Sequence, residues 1–173
     1  DDTLIILGDN LFDFALEPFI DFFKKKGKTA TGVFEMPREE LKNFGVVGLE
    51  GEKIVSFEEK PVNPKSSFGS TGIYALTRED LAKLSEYISR GKSLDGPGFF
   101  IEHLLSIQDV YGFVFKGRWF DIGNLETLKE AMEIFKKSVE GVDALVAHNI
   151  SYDEMVIGCE YYRLDIKDPM LTK

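Results

Sequence analysis

Apolar residues open the chain in a short unbroken block and then switch repeatedly to spacings of three and four, a pattern that predicts strands alternating with helices. In "LIILGDN", residues 4–10, the apolar run stops abruptly at Gly8, Asp9 and Asn10, and such a run reads as a strand buried in a parallel sheet. In "LEPFIDFFKKKGK", Leu16, Phe19, Ile20 and Phe23 share one helical face. Pro18 suits the first turn of that helix, the lysines suit the negative end of its dipole, and Gly27 suits its stop. "TATGVFEM" predicts a second strand, and "FGVVGLEGEKIVSFEEKP" a hairpin of residues 46–49 and 54–57 turning near Gly51. A loop at 61–68 precedes the strand "STGIYAL". Thr77 is placed to cap a helix in "TREDLAKLSEYI", whose stripe is Leu81, Leu84 and Ile88. After the loop "SRGKSLDGPG" come a short helix in "FFIEHLLSI" and a strand in "VYGFVF". "RWFDIGN" then leads into "LETLKEAMEIFKK", with Asn124 as N-cap and Leu125, Leu128, Met132 and Phe135 as a stripe. From Gly141 onward only two short strands, "DALVAH" and "EMVIGCEYY", are suggested. Strands alternating with helices make the fold class α/β.

The composition narrows what such a fold can do. A chain of 173 residues with 43% hydrophobic content and fifteen phenylalanines has room for one full domain and its core. A net charge of −9 argues against a nucleic-acid partner, which needs a basic face. It leaves a phosphate-bearing small substrate open, provided a metal ion or local lysines offset the acidity. The one cysteine, Cys159, lies in the apolar run "MVIGC" and reads as buried; with no partner for a disulfide, a reducing compartment is expected. No secretory signal or long apolar span is evident, so a cytoplasmic protein without membrane attachment is expected. Because a core strand begins almost at Asp1, we expect further residues upstream, lost by truncation or cleavage or supplied as a second chain.

Three clusters put unusual polar residues at the ends of apolar strands. The first is Gly8, Asp9 and Asn10, where a turn or helix cap explains the polar residues as readily as chemistry does. The second is "FEEKP", residues 57–61, in which Pro61 is expected to hold Glu59 and Lys60 on an extended segment. A carboxylate there accepts from sugar hydroxyls and an ammonium meets a phosphate; solvated charge at a strand end is the plainer explanation. The third is "GRWFDIGN", in which Asp121 is either a turn aspartate or, with Asp9, a second carboxylate for a divalent cation. Magnesium takes one or two carboxylates and leaves its other positions to water and phosphate, and a donor set without cysteine or histidine favours it over zinc.

The order "LGDN", "FGVV", "FEEKP", "STGIY", "WFDIGN" resembles the central and C-terminal portion of the sugar-phosphate nucleotidyltransferases, nearest the glucose-1-phosphate thymidylyl- and uridylyltransferases. The resemblance covers residues 1–138 and leaves 139–173 as an extension of unknown role. It implies a partial Rossmann-like sheet with flanking helices and a β-hairpin. The implied reaction joins a sugar 1-phosphate, glucose 1-phosphate in this branch, to a nucleoside triphosphate, dTTP or UTP, with release of pyrophosphate. By the same resemblance Asp9 and Asp121 hold Mg2+, and Lys60 joins them as a catalytic residue by meeting the sugar phosphate. Gly45 lies against the sugar, Glu59 holds its hydroxyls, and Thr71, Gly72 and Tyr74 close around the sugar and its phosphate; Tyr74 reads equally as a core aromatic. A homo-oligomer is also implied. Two departures stand out. The glycine-rich G-x-G-T-R loop that cradles the triphosphate has no match in this chain, and "SLDGPGFFIEHL" stands where relatives carry E-I-T-D. The expected N-terminal nucleotide-binding portion is therefore absent, the fragment is expected to be inactive alone, and a non-catalytic module binding a sugar phosphate or nucleotide sugar is the alternative.

Overall fold

Periodicity of two in the strands and of three and four in the helices resolves into a mixed sheet with helices on both faces. The computed structural model describes residues 1–91, 95–123 and 125–139, and the chain divides into two compact units, residues 1–119 and 120–173. In chain order the elements are β1 (Thr3–Ile6), β2 (Asn10–Phe12), α1 (Glu17–Lys26), β3 (Ala30–Glu35), a 3-10 turn (Glu40–Asn43), β4 (Gly45–Glu50), β5 (Lys53–Glu59), β6 (Phe68–Leu76), α2 (Arg78–Ser89), α3 (Pro97–Leu105), β7 (Tyr111–Val114), β8 (Trp119–Asp121) and α4 (Leu125–Val139). The main sheet has the order β1-β6-β3-β7-β5-β4, and β4 also pairs with β6. Strand β7 runs parallel to β3, whereas β6 is antiparallel to β1, β3 and β4.

Strand β6 is the spine of this sheet and is buried along nearly its whole length. Its alternate side chains feed two separate cores, as a strand covered on both faces requires. Tyr74 and Leu76 join Val33, Val47, Ile54 and Phe57 beneath Tyr87 of α2 and Phe100, Ile101 and Leu104 of α3. On the other face Ile73 and Ala75 join Ala30, Phe115 and the α1 residues Phe19 and Phe23. Each large side chain buried this way stabilises the fold by roughly 1.5–3 kcal/mol.

Local signals set the helix ends. Gly27 adopts a left-handed φ of 58° and donates its N–H to Phe23 O at 2.9 Å, closing α1. The Thr77 hydroxyl accepts from the Asp80 N–H at 3.1 Å, opening α2 as expected. Asp80 itself is buried and accepts from Thr29 Oγ1 at 2.6 Å, Lys83 Nζ at 2.7 Å and Gln108 Nε2 at 2.7 Å. This network rotates the inward face of α2 onto Asp80, Leu81, Leu84 and Tyr87, so Ile88, expected in the stripe, is turned outward.

Strand β1 also departs from expectation. It is an antiparallel neighbour of β6 at the end of the sheet order rather than an interior parallel strand. Ile5 packs into the α2/α3 core, while Leu4 and Ile6 face the other way and are 38% and 40% exposed. An apolar run shows that a strand is hydrophobic on both faces, not that both faces are covered by the same chain. The short β2 and the 3-10 turn leave no mark in the sequence, because three or four residues display no period. Asn124, the two strands suggested beyond Gly141, Cys159 and the extension after residue 139 lie outside the described residues. No helix among the described residues is long and apolar enough to cross a membrane.

Candidate active site

Strand pairing locates an interruption in the sheet. Gly69 pairs with Phe34 on one side and Val46 on the other, while Tyr74 and Ala75 pair with Thr31 and Ala30 on the first side and with Ile5 and Leu4 on the second. Strands β1 and β4 therefore share one edge of β6. Strand β1 leaves that edge at Leu7, whose N–H donates to Gly72 O at 3.1 Å, and β4 reaches it only at Val46. The interval opposite Ser70, Thr71 and Gly72 is where β6 changes neighbours, and open α/β sheets bind ligands where strand ends diverge in this way.

One flank of the interval is the turn carrying Asp9. The Asn10 N–H and Nδ2 both donate to Leu7 O, at 3.3 and 3.2 Å, and Nδ2 also donates to Asp9 Oδ1 at 3.1 Å. Trp119 Nε1 donates to Asn10 Oδ1, and the same indole packs edge-on against Phe44 with ring centres 5.3 Å apart. Trp119 thus ties the Asp9 turn to the residue that precedes β4. Sequence reasoning did not single it out; the signal was its place in "RWFDIGN" as the only tryptophan. Gly72 is required here twice over. Its φ is +73°, and a β-carbon on it would lie 2.8 Å from Leu7 Cδ1 and 3.2 Å from Asn10 Nδ2.

The other flank is built by the β4–β5 hairpin, in which Gly45 pairs directly with Glu59. A β-carbon on Gly45 would meet the Phe57 ring at 2.6 Å and Glu59 Oε2 at 3.0 Å, so what this glycine admits within the chain is the Phe57 ring first and the Glu59 carboxylate beside it. Glu59 is half-buried, and burial pushes its carboxyl above the usual range, opposed by the Lys60 ammonium and reinforced by Glu102. Lys60 corrects an expectation. Instead of continuing extended, it takes a left-handed φ of 47°, and its N–H donates to Phe44 O at 3.0 Å. Pro61 disfavours the right-handed helical region at Lys60, and the bond to Phe44 selects the left-handed alternative. A lysine held there costs roughly 1–2 kcal/mol, and such strain concentrates at functional sites.

The remaining candidates are placed as follows. Thr71 is buried with its hydroxyl donating to Gly32 O at 3.0 Å. Tyr74 lies in the α2/α3 core and accepts from Ser70 Oγ at 3.2 Å. Burial pushes its phenol up to about 12, with the Ser70 bond opposing and the Glu59 charge adding to the shift. Asp9 is exposed on its turn, and Asp121 ends β8 in the second unit, two residues before Gly123. Among the described residues no three histidine, cysteine, aspartate or glutamate side chains gather into a metal cluster. Exposed Asp9, with Oδ1 steadied by Asn10, is a hard oxygen donor of the kind that suits magnesium with water and phosphate completing its shell.

Comparison with known proteins identifies the family and the fold. The family model for nucleotidyl transferases matches residues 1–138. Glucose-1-phosphate adenylyltransferase of Clostridium acetobutylicum is 34% identical over 134 residues, spanning 75% of this chain and 35% of that protein. The adenylyltransferase of Clostridioides difficile is 31% identical over 147 residues, spanning 82% of this chain and 38% of that protein. A solved UDP-glucose pyrophosphorylase complexed with UDP-glucose superposes with a TM-score of 0.65 at 23% identity, covering 79% of this chain and 57% of that one, and shows the shared fold. The chain thus spans little more than a third of the length of these curated relatives. With sequence and fold in agreement, the chain belongs to the nucleotidyl transferase family.

Proposed function

We propose that the protein transfers a nucleotidyl group from a nucleoside triphosphate to glucose 1-phosphate, releasing pyrophosphate and leaving a nucleotide sugar. The observation that carries this reading is the pairing of half-buried Glu59 with strained Lys60 at one flank of the β6 interval, opposite the turn that presents Asp9. Glu59 accepts hydrogen bonds from sugar hydroxyls, and Lys60 meets the sugar phosphate as a compact charge. Gly72 lets Leu7 and Asn10 pack against the β6 backbone, and Trp119 steadies Asn10 and through it Asp9. Asp9 and Asp121 would hold magnesium, which supplies charge neutralisation between two anionic reactants. No protein nucleophile is needed: a phosphate oxygen of the sugar attacks the α-phosphorus, and the chain's contribution is alignment and screening. The nucleotide-binding portion is proposed to lie outside the matched residues, since no G-x-G-T-R loop occurs in them. The nucleoside triphosphate is dTTP or UTP by the resemblance to the thymidylyl- and uridylyltransferases, with ATP beside them because the curated relatives are adenylyltransferases; the motifs present do not choose among them.

The test has two arms. Calorimetry of glucose 1-phosphate with this chain, with and without magnesium, is expected to show binding that Glu59→Ala or Lys60→Ala weakens at least ~10-fold. Pyrophosphate release with dTTP, UTP and ATP then identifies the base. Binding without release in the protein as its gene encodes it would favour a non-catalytic module, and no binding at all would overturn the reading.

A further inference from the structure

Glycines serve two different ends in this fold, and one of them has a use that local backbone needs do not explain. Gly27 has φ +58°, and a β-carbon on it would meet nothing within 4 Å, so it serves conformation alone. Gly98 is the opposite case. It is the second residue of α3, is buried, and shows no left-handed φ, so any residue could adopt its backbone. Glycine weakens a helix relative to alanine, and its presence here answers to space.

That space is taken by Glu59. A β-carbon on Gly98 would lie 2.0 Å from Glu59 Oε2 and 3.1 Å from both Glu59 Cδ and Phe57 Cε1. Together with Gly45, at 3.0 Å from the same oxygen, it forms a two-glycine slot that receives the carboxylate between β4 and α3. The helix cannot easily withdraw, since Phe100, Ile101 and Leu104 anchor it in the core at 5%, 1% and 0% exposure.

We propose that Gly98 is a positioning residue that seats the Glu59 carboxylate and thereby sets affinity for the sugar. This rests on the function proposed above, in which Glu59 reads the sugar hydroxyls. Gly98→Ala forces the carboxylate away by roughly an ångström, the difference between a 2.0 Å approach and a tolerable contact. A displacement of that size breaks a hydrogen bond from a sugar hydroxyl to the carboxylate, and loss of one such charge-assisted bond weakens binding by about 10–100-fold.

The test combines ligand affinity with a stability cycle. Gly98→Ala is expected to weaken glucose 1-phosphate binding by ~10–100-fold, and in turnover to raise KM for the sugar phosphate while KM for the nucleoside triphosphate stays within ~3-fold. In urea unfolding, the midpoint change caused by Gly98→Ala should be less favourable with Glu59 in place than in a Glu59→Ala background, because the clash then has no carboxylate and the helix keeps the gain from alanine. Glu59→Asp, shorter by one methylene, should likewise recover stability in the Gly98→Ala chain. An equal midpoint change with and without the Glu59 side chain, or unaltered sugar-phosphate affinity in Gly98→Ala, would overturn the proposal. Absence of glucose 1-phosphate binding in the unsubstituted chain would overturn the functional reading instead, and the unfolding cycle would still decide whether Gly98 seats Glu59.

Discussion

Replacing Gly72 with alanine tests the construction of the β6 interval at one atom. Two costs arise from the structure. A non-glycine residue at φ +73° loses about 1–2 kcal/mol through left-handed crowding. The added β-carbon also falls 2.8 and 3.0 Å from Leu7 Cδ1 and Cγ, and overpacking of this kind costs about 1–3 kcal/mol. The sum, about 2–5 kcal/mol, is a large share of the ~5–15 kcal/mol that stabilises a typical domain. Urea unfolding followed by Trp119 fluorescence is a suitable assay, because the only tryptophan is hydrogen-bonded to Asn10 beside this glycine. With a slope of ~1–3 kcal/mol per molar urea, the midpoint should fall by about 1 M or more. Leu7→Ala in the Gly72→Ala background should recover the packing part and leave the backbone part, a coupling of about 1 kcal/mol. A Gly72→Ala midpoint indistinguishable from that of the unsubstituted chain would refute both the strain and the close approach.

Further outcomes follow from the same geometry. Burial raises the Glu59 carboxyl above its unfolded value, so the folded state binds that proton more tightly; Glu59 therefore destabilises the fold above its folded pKa and not below the unfolded value near 4.5. Glu59→Gln should accordingly stabilise the chain at pH 7 and lose that advantage as the pH falls toward 4, measured by thermal melts across pH; the same gain at both ends would contradict the assignment. Ile5→Ala, which removes a side chain packed on the α2/α3 core, should cost about 1–2 kcal/mol in chemical unfolding, whereas Ile6→Lys on the exposed side of β1 should stay within about 0.5 kcal/mol. Trp119→Phe keeps an aromatic ring against Phe44 but removes the donor to Asn10, and circular dichroism melts should show a loss of about 0.5–1.5 kcal/mol.

The helices and most strands were legible in the sequence because each carried its own local punctuation. Thr77 and Gly27 mark helix ends through hydrogen bonds that involve only neighbouring residues, and the hairpin from Gly45 to Glu59 declares itself by its turn at Gly51. Motif order pointed to Asp9, Glu59, Lys60 and Gly72; the fold puts the Asp9 turn on one flank of the β6 interval, Glu59 and Lys60 on the other, and Gly72 on β6 itself. What was not legible depends on partners distant in sequence. The exposure of Leu4 and Ile6 depends on what packs over β1, the outward turn of Ile88 on Asp80 bonding to Thr29 and Gln108, and the left-handed Lys60 on the Phe44 carbonyl. Trp119 and Gly98 escaped notice for the same reason: an indole donor and a missing β-carbon acquire meaning only when Asn10 and Glu59 stand beside them.

The function proposed for this chain stands on Asp9 and Asp121, which would hold magnesium, and on Glu59 and Lys60, which would hold the sugar phosphate. Its most direct test is magnesium-dependent pyrophosphate release from glucose 1-phosphate and a nucleoside triphosphate, measured on the protein as its gene encodes it. Release is expected to require magnesium and to fall at least ~100-fold in both Asp9→Asn and Asp121→Asn. Release that proceeds without magnesium, or that survives both substitutions, would contradict it.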